Sequence, residues 1–336
     1  MNSQNSTPMM AKISGVGHYV PEKILTNSDL EKMMDTNDEW IVSRTGISER
    51  RIVSNGEATS HMGIHAIREL LDFTDTDPGE IDVIIVATVT PDRMFPATAC
   101  LIQEEIGANN CWGFDLSAAC SGFLFALNSA SRFVESGAYK KVVVVGADTM
   151  SSIMNYEDRN TAILFGDAAG AVMVEPSEEE GFGILDSLSS IDGSGAEYLY
   201  MAAGGSEKPA SHETVDAGEH FLYQDGRTVY VNAVKGMAEV SVQILERNGL
   251  EGTDVDLFIP HQANKRIIDS TAKRLGIDES KVIVNIDKYG NTTAATIPLG
   301  LYEAVRDDRL KKGDITVLAA FGAGYTLGST LIKWAY

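Results

Sequence analysis

Two hydrophobic patterns alternate along the chain. Short β-branched runs, Glu80-Ile-Asp-Val-Ile-Ile-Val-Ala-Thr88 and Asp254-Val-Asp-Leu-Phe-Ile-Pro260, predict buried strands. Each is followed by a segment predicted as helix, Ala97 to Gly107 and Asn264 to Gly276, closing on a glycine. Each helix leads to another predicted strand, Cys111 to Asp115 and Lys281 to Ile286. Small residues follow in both: Ser117-Ala-Ala-Cys120 and Gly290-Asn-Thr-Thr-Ala294. A further helix, a Gly-bearing turn (Ser136-Gly137, Lys312-Gly313) and a strand (Lys141 to Val145, Asp314 to Leu318) complete each half. Asp82 matches Asp256 and Gly137 matches Gly313 at offsets near ~175 residues, a period that marks a duplicated domain rather than a solenoid.

Strands alternating with helices imply largely parallel sheets covered by helices. Opening strands are expected at Ala11–Val16 and Gly183–Ser187. The charged run Ser177-Glu-Glu-Glu-Gly181 reads as the surface connection, dividing the chain into halves 1–178 and 179–336. The polar stretch Asn27–Thr59 and the Gly/Ser/Glu-rich stretch Ile191–Arg227 have no counterpart in the repeat. Both read as insertions of the kind that shape binding sites.

Composition narrows the class. The chain has 336 residues, 44% of them hydrophobic, with 31 glycines, which suits an ordered α/β enzyme of one large or two smaller domains. Three cysteines, Cys100, Cys111 and Cys120, argue for a reducing compartment and against a disulfide framework. No C-x-x-C pair or dense His/Cys cluster suggests a metal. The opening Met1–Thr7 lacks the features of a signal peptide, and no apolar stretch is long enough to cross a membrane. A net charge of −21 argues against non-specific nucleic-acid binding.

Candidate chemistry sits at the strand ends. In Asp115-Leu-Ser-Ala-Ala-Cys120-Ser-Gly-Phe123 a thiol stands where a strand turns into an apolar helix. A helix N-terminus offers unpaired N–H groups and about half a positive charge, which lowers a thiol pKa and activates it as a nucleophile. The alternative is a buried structural cysteine. His261 follows the Asp254–Pro260 strand, and Asn291 lies at the turn after the Lys281–Ile286 strand. Ligands of parallel α/β sheets gather at the carboxyl ends of strands, and duplication brings the two halves' strand ends together. A Cys, a His and an Asn are therefore expected in one pocket. Singly, His261 reads as a capping residue and Asn291 as a turn residue. Cys100, in a helical run, and Cys111, in a strand, read as core residues, and the remaining histidines as surface or packing residues.

The ordered set of motifs resembles one family, β-ketoacyl-acyl-carrier-protein synthase III, from about Lys12 to the C-terminus. It comprises Asp38-Glu-Trp-Ile41, Arg44-Thr-Gly-Ile47, the Cys120 segment, Glu157-Asp-Arg159, Leu164-Phe-Gly-Asp167, His261-Gln-Ala-Asn264, Gly290-Asn-Thr292 and Phe321-Gly-Ala-Gly-Tyr325. The resemblance implies an α/β, thiolase-like fold, two duplicated halves packed as five αβαβα layers. It implies a homodimeric cytoplasmic enzyme that starts fatty acid synthesis, using acyl-CoA and acyl carrier protein and no cofactor. By the same resemblance Cys120 accepts the acyl group and His261 and Asn291 complete the triad. Backbone N–H groups of Cys120 and Ala323 form the oxyanion hole, with Ala323 where the family often has glycine. Trp40 and Arg159 would sandwich the CoA adenine, Arg44 would meet a CoA phosphate, and Asn264 would support the triad by hydrogen bonds and line the CoA site. Gly166 and Asp167 would serve the fold and the subunit interface.

An acidic carrier protein calls for a basic docking patch. Lys265, Arg266, Lys273 and Arg274 fall on the helix after His261, and Lys235 stands four residues after Val231, where a typical member carries lysine. Phe95, in Met94-Phe-Pro-Ala97, matches a loop that reaches across the dimer and closes the acyl pocket, which favours a short starter such as acetyl-CoA. The competing readings are a condensing enzyme of secondary metabolism with the same fold and a cysteine acyl hydrolase.

Overall fold

The computed structural model describes residues 9–336; the segment Met1–Thr7, read above for targeting signals, lies outside the described residues. The first half opens with β1 (Ala11–Tyr19) and a hairpin, β2 (Lys23–Thr26) with β3 (Glu49–Ile52). The hairpin's connection carries α1 (Asn27–Leu30) and α2 (Asp38–Thr45), so the polar stretch Asn27–Thr59 builds a small lobe. There follow α3 (Thr59–Thr74), β4 (Val83–Ala87), α4 (Thr98–Ile106), β5 (Trp112–Leu116), α5 (Gly122–Glu135), β6 (Val142–Asp148) and β7 (Ala168–Pro176). Five of these strands form one sheet in the order β1-β7-β6-β4-β5. The central strands β4 and β6 are buried along their whole length, as strands covered by helices on both faces must be. Asp115 at the end of β5 accepts the N–H groups of Thr98 and Ala99 at 2.6 and 2.9 Å, which starts α4.

The second half runs β8 (Gly183–Ile191), β9 (Leu199–Met201), α6 (His212–Asp216), β10 (Leu222–Gln224), α7 (Gly226–Arg247), β11 (Leu257–Pro260), α8 (Lys265–Leu275), α9 (Ile286–Tyr289), α10 (Thr296–Arg306), β12 (Ile315–Gly322) and β13 (Thr326–Lys333). Its sheet has the order β11-β12-β13-β8, and β9 with β10 forms a separate ribbon from the Ile191–Arg227 stretch. Helices α3 and α4 cover the first sheet, α7 and α8 the second, and α5 with α10 fill the layer between. One apolar cluster runs through that middle layer, joining Phe123 and Leu127 of α5 to Val144 of the first sheet and Leu318 of the second. The expected five layers are present.

The duplication shows in matching hydrogen bonds. Asp82 accepts the Lys140 and Lys141 N–H groups while its own N–H donates to Lys141 O; Asp256 accepts Ile315 N–H while donating to Ile315 O. Three expectations need correction. The sheets are mixed rather than largely parallel: β4 pairs in parallel with β5 and β6, and β11 with β12, but β7 and β13 run antiparallel to both their neighbours. These two strands are rich in Ala, Gly, Ser and Thr and lack the β-branched run that marked the others. The predicted strand Lys281–Ile286 is only an isolated bridge between Val282 and Phe258, because the next backbone N–H, of Asn285, goes to the side chain of Gln262. Cys100 is exposed on α4 instead of packed in the core.

Candidate active site

Three turns converge on one cavity between the sheets. The first is the chain reversal after β5. Ala119 takes a left-handed φ of 49°, Cys120 follows in a single 3-10 turn, and α5 begins at Gly122. Ala is costly at positive φ, so the neighbours must hold the bend. They do so from the other half: Thr326 Oγ1 donates to Ala118 O at 2.8 Å, and Ser121 Oγ donates to Thr326 O at 3.0 Å. Gly322, where β12 ends, lies so close that a Cβ there would be 2.7 Å from Cys120 N. Only glycine lets the Ala323 turn approach the nucleophile's backbone in this way. Ala323 itself keeps a negative φ, so alanine fits where the family often has glycine.

The second turn carries His261. Its N–H donates to Ala319 O at 2.7 Å, and Gln262 braces the bend by donating to Pro260 O and Ile283 O at 2.8 and 3.1 Å. His261 is 1% exposed, its Nδ1 lies 2.7 Å from Thr296 Oγ1, and its Nε2 is buried with no partner. The third turn carries Asn291, whose backbone exchanges hydrogen bonds with Leu164 and Gly166. Its Oδ1 accepts the Thr293 N–H at 2.9 Å, which leaves the amide NH2 to face the cavity that Asn291 lines.

Cys120, His261 and Asn291 all line this cavity of about 260 Å³. Ile163, Phe165, Val229 and Phe321 make its wall largely apolar, while Trp40, Arg44 and Asn264 stand toward a second cavity that shares Arg44 and Asn264. Burial pushes the Cys120 thiol up to about 12, and the Asp148 carboxylate adds to the effect. The expectation of a lowered thiol pKa is therefore corrected: the start of α5 opposes desolvation but does not overcome it. Burial likewise pushes His261 down to about 3, so its ring is neutral. A neutral imidazole and an amide in a dry cleft can donate hydrogen bonds to a developing oxyanion without supplying a net charge.

The remaining predicted positions divide. Arg44 and Arg159 lie on the ring of Trp40, at 4.8 and 5.1 Å from its centroid, so an adenine could enter between Trp40 and Arg159 only by displacing the guanidinium. Asn264 caps α8 by accepting Arg266 N–H and donates to Arg44 O; it makes no hydrogen bond to His261 or Asn291, contrary to expectation. Lys265, Arg266, Lys273, Arg274 and Lys235 are exposed on α8 and α7. Lys265 is tied to Asp269, and Arg266 donates to Ser43 O at 2.7 Å. Phe95 is 83% exposed and does not line this chain's own cavity. Asp167 is buried, accepting from Val53 and Ser151, which is a role in the fold.

Sequence reading missed several residues. Arg227 opens α7 and lines the second cavity beside Arg44 and Arg266. Its signal was its place one turn before Val231. Thr293 and Thr296 brace the triad, and their visible signal was the Thr-rich run after Asn291. Asp148, fully buried at the end of β6, left no sequence signal beyond a charged residue closing an apolar strand. Among the described residues, no group of three or more His, Cys, Asp or Glu is placed to hold a metal ion, and no helix is long and apolar enough to cross a membrane.

A doubled α/β scaffold with a buried thiol, a neutral histidine and an amide on one cavity defines a thiolase-fold condensing enzyme, an acyltransferase. Residues 114–193 match the family model for 3-oxoacyl-[acyl-carrier-protein] synthase III, and residues 245–334 match that for its C-terminal part. The β-ketoacyl-[acyl-carrier-protein] synthase III of Chlorobium phaeovibrioides is 56% identical over 97% of this chain and 100% of its own. The crystal structure of 3-oxoacyl-[acyl-carrier-protein] synthase III from Aquifex aeolicus has a TM-score of 0.89 at 44% identity, covering 96% of this chain and 100% of that one. A priming β-ketosynthase of the R1128 polyketide pathway has a TM-score of 0.90 at 35% identity, covering 99% of both chains. The chain belongs to the β-ketoacyl-[acyl-carrier-protein] synthase III family.

The raised thiol pKa makes a direct prediction. The thiolate alone is alkylated, so the rate at Cys120 should be low at pH 7 and still climb about tenfold per pH unit beyond pH 9. Peptide mass mapping after iodoacetamide treatment across pH 6–10 measures it, with exposed Cys100 as internal comparison. A plateau reached near pH 7 would show a depressed pKa instead.

Proposed function

We propose that this enzyme of the initiating condensation in fatty acid synthesis works through Cys120, His261 and Asn291, with acetyl-CoA as the starter. The observation that carries the reading is the shared, largely apolar cavity, with the thiol and two neutral donors on its wall. In the first step the Cys120 sulfur attacks the thioester carbonyl, the new S–C bond forms, and the bond to CoA sulfur breaks. One thiol is consumed and one released, so no net proton is needed, and the start of α5 favours the transient sulfur anion. In the second step malonyl-carrier protein loses CO2, and the electron pair of the broken C–C bond becomes a thioester enolate. His261 Nε2–H and Asn291 Nδ2–H donate to its oxygen. That role needs His261 Nδ1 unprotonated, so the Thr296 hydroxyl, 2.7 Å from Nδ1, must turn its one hydrogen to the ring and away from Thr293 O. The enolate carbon then attacks acyl-Cys120, the N–H groups of Cys120 and Ala323 hold the tetrahedral oxyanion, and collapse returns the thiolate. No cofactor takes part.

The cavity mouth suits phosphate-bearing substrates. Arg44, Arg227 and Arg266 converge there, and none forms an ion pair among the described residues, in a chain of net charge −21. Carrier docking is assigned to Arg266 with Lys265, Lys273, Arg274 and Lys235; of these Arg266 lines the second cavity, where Arg227 joins it. A cytoplasmic homodimer is the assembly proposed, with halves 1–178 and 179–336 in each chain. Its supports are the free edge strand β5, with Trp112 on it, and the neighbouring exposed Met94 and Phe95. Phe95 would then close the partner's acyl pocket. A second reading, a priming synthase of secondary metabolism, is favoured by the polyketide neighbour alone and differs in its starter and carrier.

Four predictions test the reading. Cys120→Ser should show no acetyl adduct by intact-mass analysis after acetyl-CoA treatment. His261→Ala and Asn291→Ala should acylate normally yet lose on the order of 10²–10³ in malonyl-carrier decarboxylation. Acetyl label on Cys100 or Cys111, or mutants that decarboxylate normally but fail to acylate, would overturn the assignment. Arg266→Glu should raise KM for malonyl-carrier protein severalfold while acetyl-CoA acylation stays near wild type; equal damage to both substrates would make Arg266 a structural or CoA-binding residue. Catalytic efficiency should favour acetyl-CoA over octanoyl-CoA, and Phe95→Thr should narrow that gap, within the ~1–3 kcal/mol per methylene that an apolar pocket can discriminate. Octanoyl-CoA outrunning acetyl-CoA in the wild type would refute the starter assignment.

A further inference from the structure

Asp148 is the one buried carboxylate near the nucleophile that the reaction above does not use. It is 0% exposed, forms no ion pair among the described residues, and lines neither cavity. An unpaired buried charge is expensive unless hydrogen bonds surround it. Here donors do surround it. Oδ1 accepts Val89 N–H at 2.7 Å, Thr88 Oγ1 at 3.0 Å, Thr90 Oγ1 at 3.1 Å and Thr90 N–H at 3.2 Å. Oδ2 accepts Thr293 Oγ1 and, at 3.2 Å, the N–H of Ala294. Three backbone N–H groups and three threonine hydroxyls thus hold Asp148, whose carboxyl pKa burial pushes up, and lock the loop after β4 to the turn after Asn291.

Thr293 is the other half of the device. It is β-branched, buried, and held at φ 48°, a conformation that persists only when its surroundings over-determine it. Each of its polar groups is spent on a different partner. The hydroxyl donates to Asp148 and the N–H donates to Asn291 Oδ1, while the carbonyl, 3.1 Å from Thr296 Oγ1, competes with His261 Nδ1 for that hydroxyl's one hydrogen. With Asn291 Oδ1 engaged, its NH2 is the end left for substrate.

We propose that Asp148 and Thr293 are positioning residues for Asn291: the carboxyl group holds the strained threonine, and the threonine N–H aims the Asn291 amide at the developing oxyanion. The inference rests on the roles assigned above to His261 and Asn291. It makes the malonyl step, and not acylation of Cys120, the step that depends on this network. A misaimed donor is costly, since displacements near 1 Å can lose about 10²-fold.

Thr293→Val removes the hydroxyl and keeps the backbone groups and the branched shape; Thr293→Ser keeps the hydroxyl. With full-length protein, two rates are read separately: acetylation of Cys120 by intact mass, and CO2 release from malonyl-carrier protein. Thr293→Val should lower kcat for CO2 release about 10–100-fold with KM little changed, leave acetylation within about threefold, and keep a cooperative thermal unfolding transition. Thr293→Ser should restore most of the loss. Asp148→Asn, which points donors at donors, should show the same split where it folds. Wild-type CO2 release by Thr293→Val, equal loss of both steps, or no rescue by serine would overturn the proposal. Failure of the underlying reading is distinguishable: His261→Ala and Asn291→Ala, run alongside, would then release CO2 normally.

Discussion

The two halves of this protein are locked crosswise, and the active site exists because of that lock. Gly146, near the end of β6 in the first half, lies under the Ala294 turn of the second, where a Cβ would come 2.2 Å from Ala294 O. Gly322, at the end of β12 in the second half, lies against Cys120 of the first. Each half thus presses a strand end into the other's bend. A side chain at either glycine would force the turns apart, and with them the nucleophile and its donors. The two bends are held at matching left-handed residues, Ala119 and Thr293, 49° and 48° in φ. Neither half could keep such strain alone, because the clamps come from across the interface: Thr326 and Ser121 join on one side, Asp148 and Thr293 on the other.

The same closeness sets the electrostatics. Sheets on both sides and the middle helices exclude water from Cys120, His261 and Asp148. Desolvation keeps the thiol protonated and the imidazole neutral, so neither group brings a charge to the cavity at rest. Hydrogen-bond donors in such a place act at full strength on charge that appears only during reaction. The arginines sit outside, at the mouth, where a substrate phosphate can meet them without burying an unpaired cation.

Much of this was legible in residue order. The apolar runs of β4, β6 and β11 marked buried strands, and the glycine stops of α4 and α8 marked helix ends, because burial and capping are local demands on composition. The duplication was legible because each half repeats the same demands, down to Asp82 and Asp256. Strands β7 and β13 were not, since their small residues answer to the close approach of α10 and α5, which is a tertiary fact. The strand expected at Lys281–Ile286 failed for a similar reason: Gln262 takes a backbone N–H that a ladder would have needed.

At the site, sequence alone determined which chemical groups are available and at which chain reversals they stand: a thiol, an imidazole and an amide, each just after a strand or at a turn rich in small residues. It also determined that the chain would fold as two similar halves. Tertiary structure decided the groups' ionisation, their aim and their supports. Burial raised the thiol pKa that the helix start alone would lower, Asn264 turned from the triad to cap α8, and Arg159 came to rest on Trp40. Thr296, Thr293 and Asp148 gained their places from the packing of one half on the other. Residue type is a local property, whereas desolvation and hydrogen-bond partnership depend on which distant segments arrive at the same point, and only the folded chain brings them there.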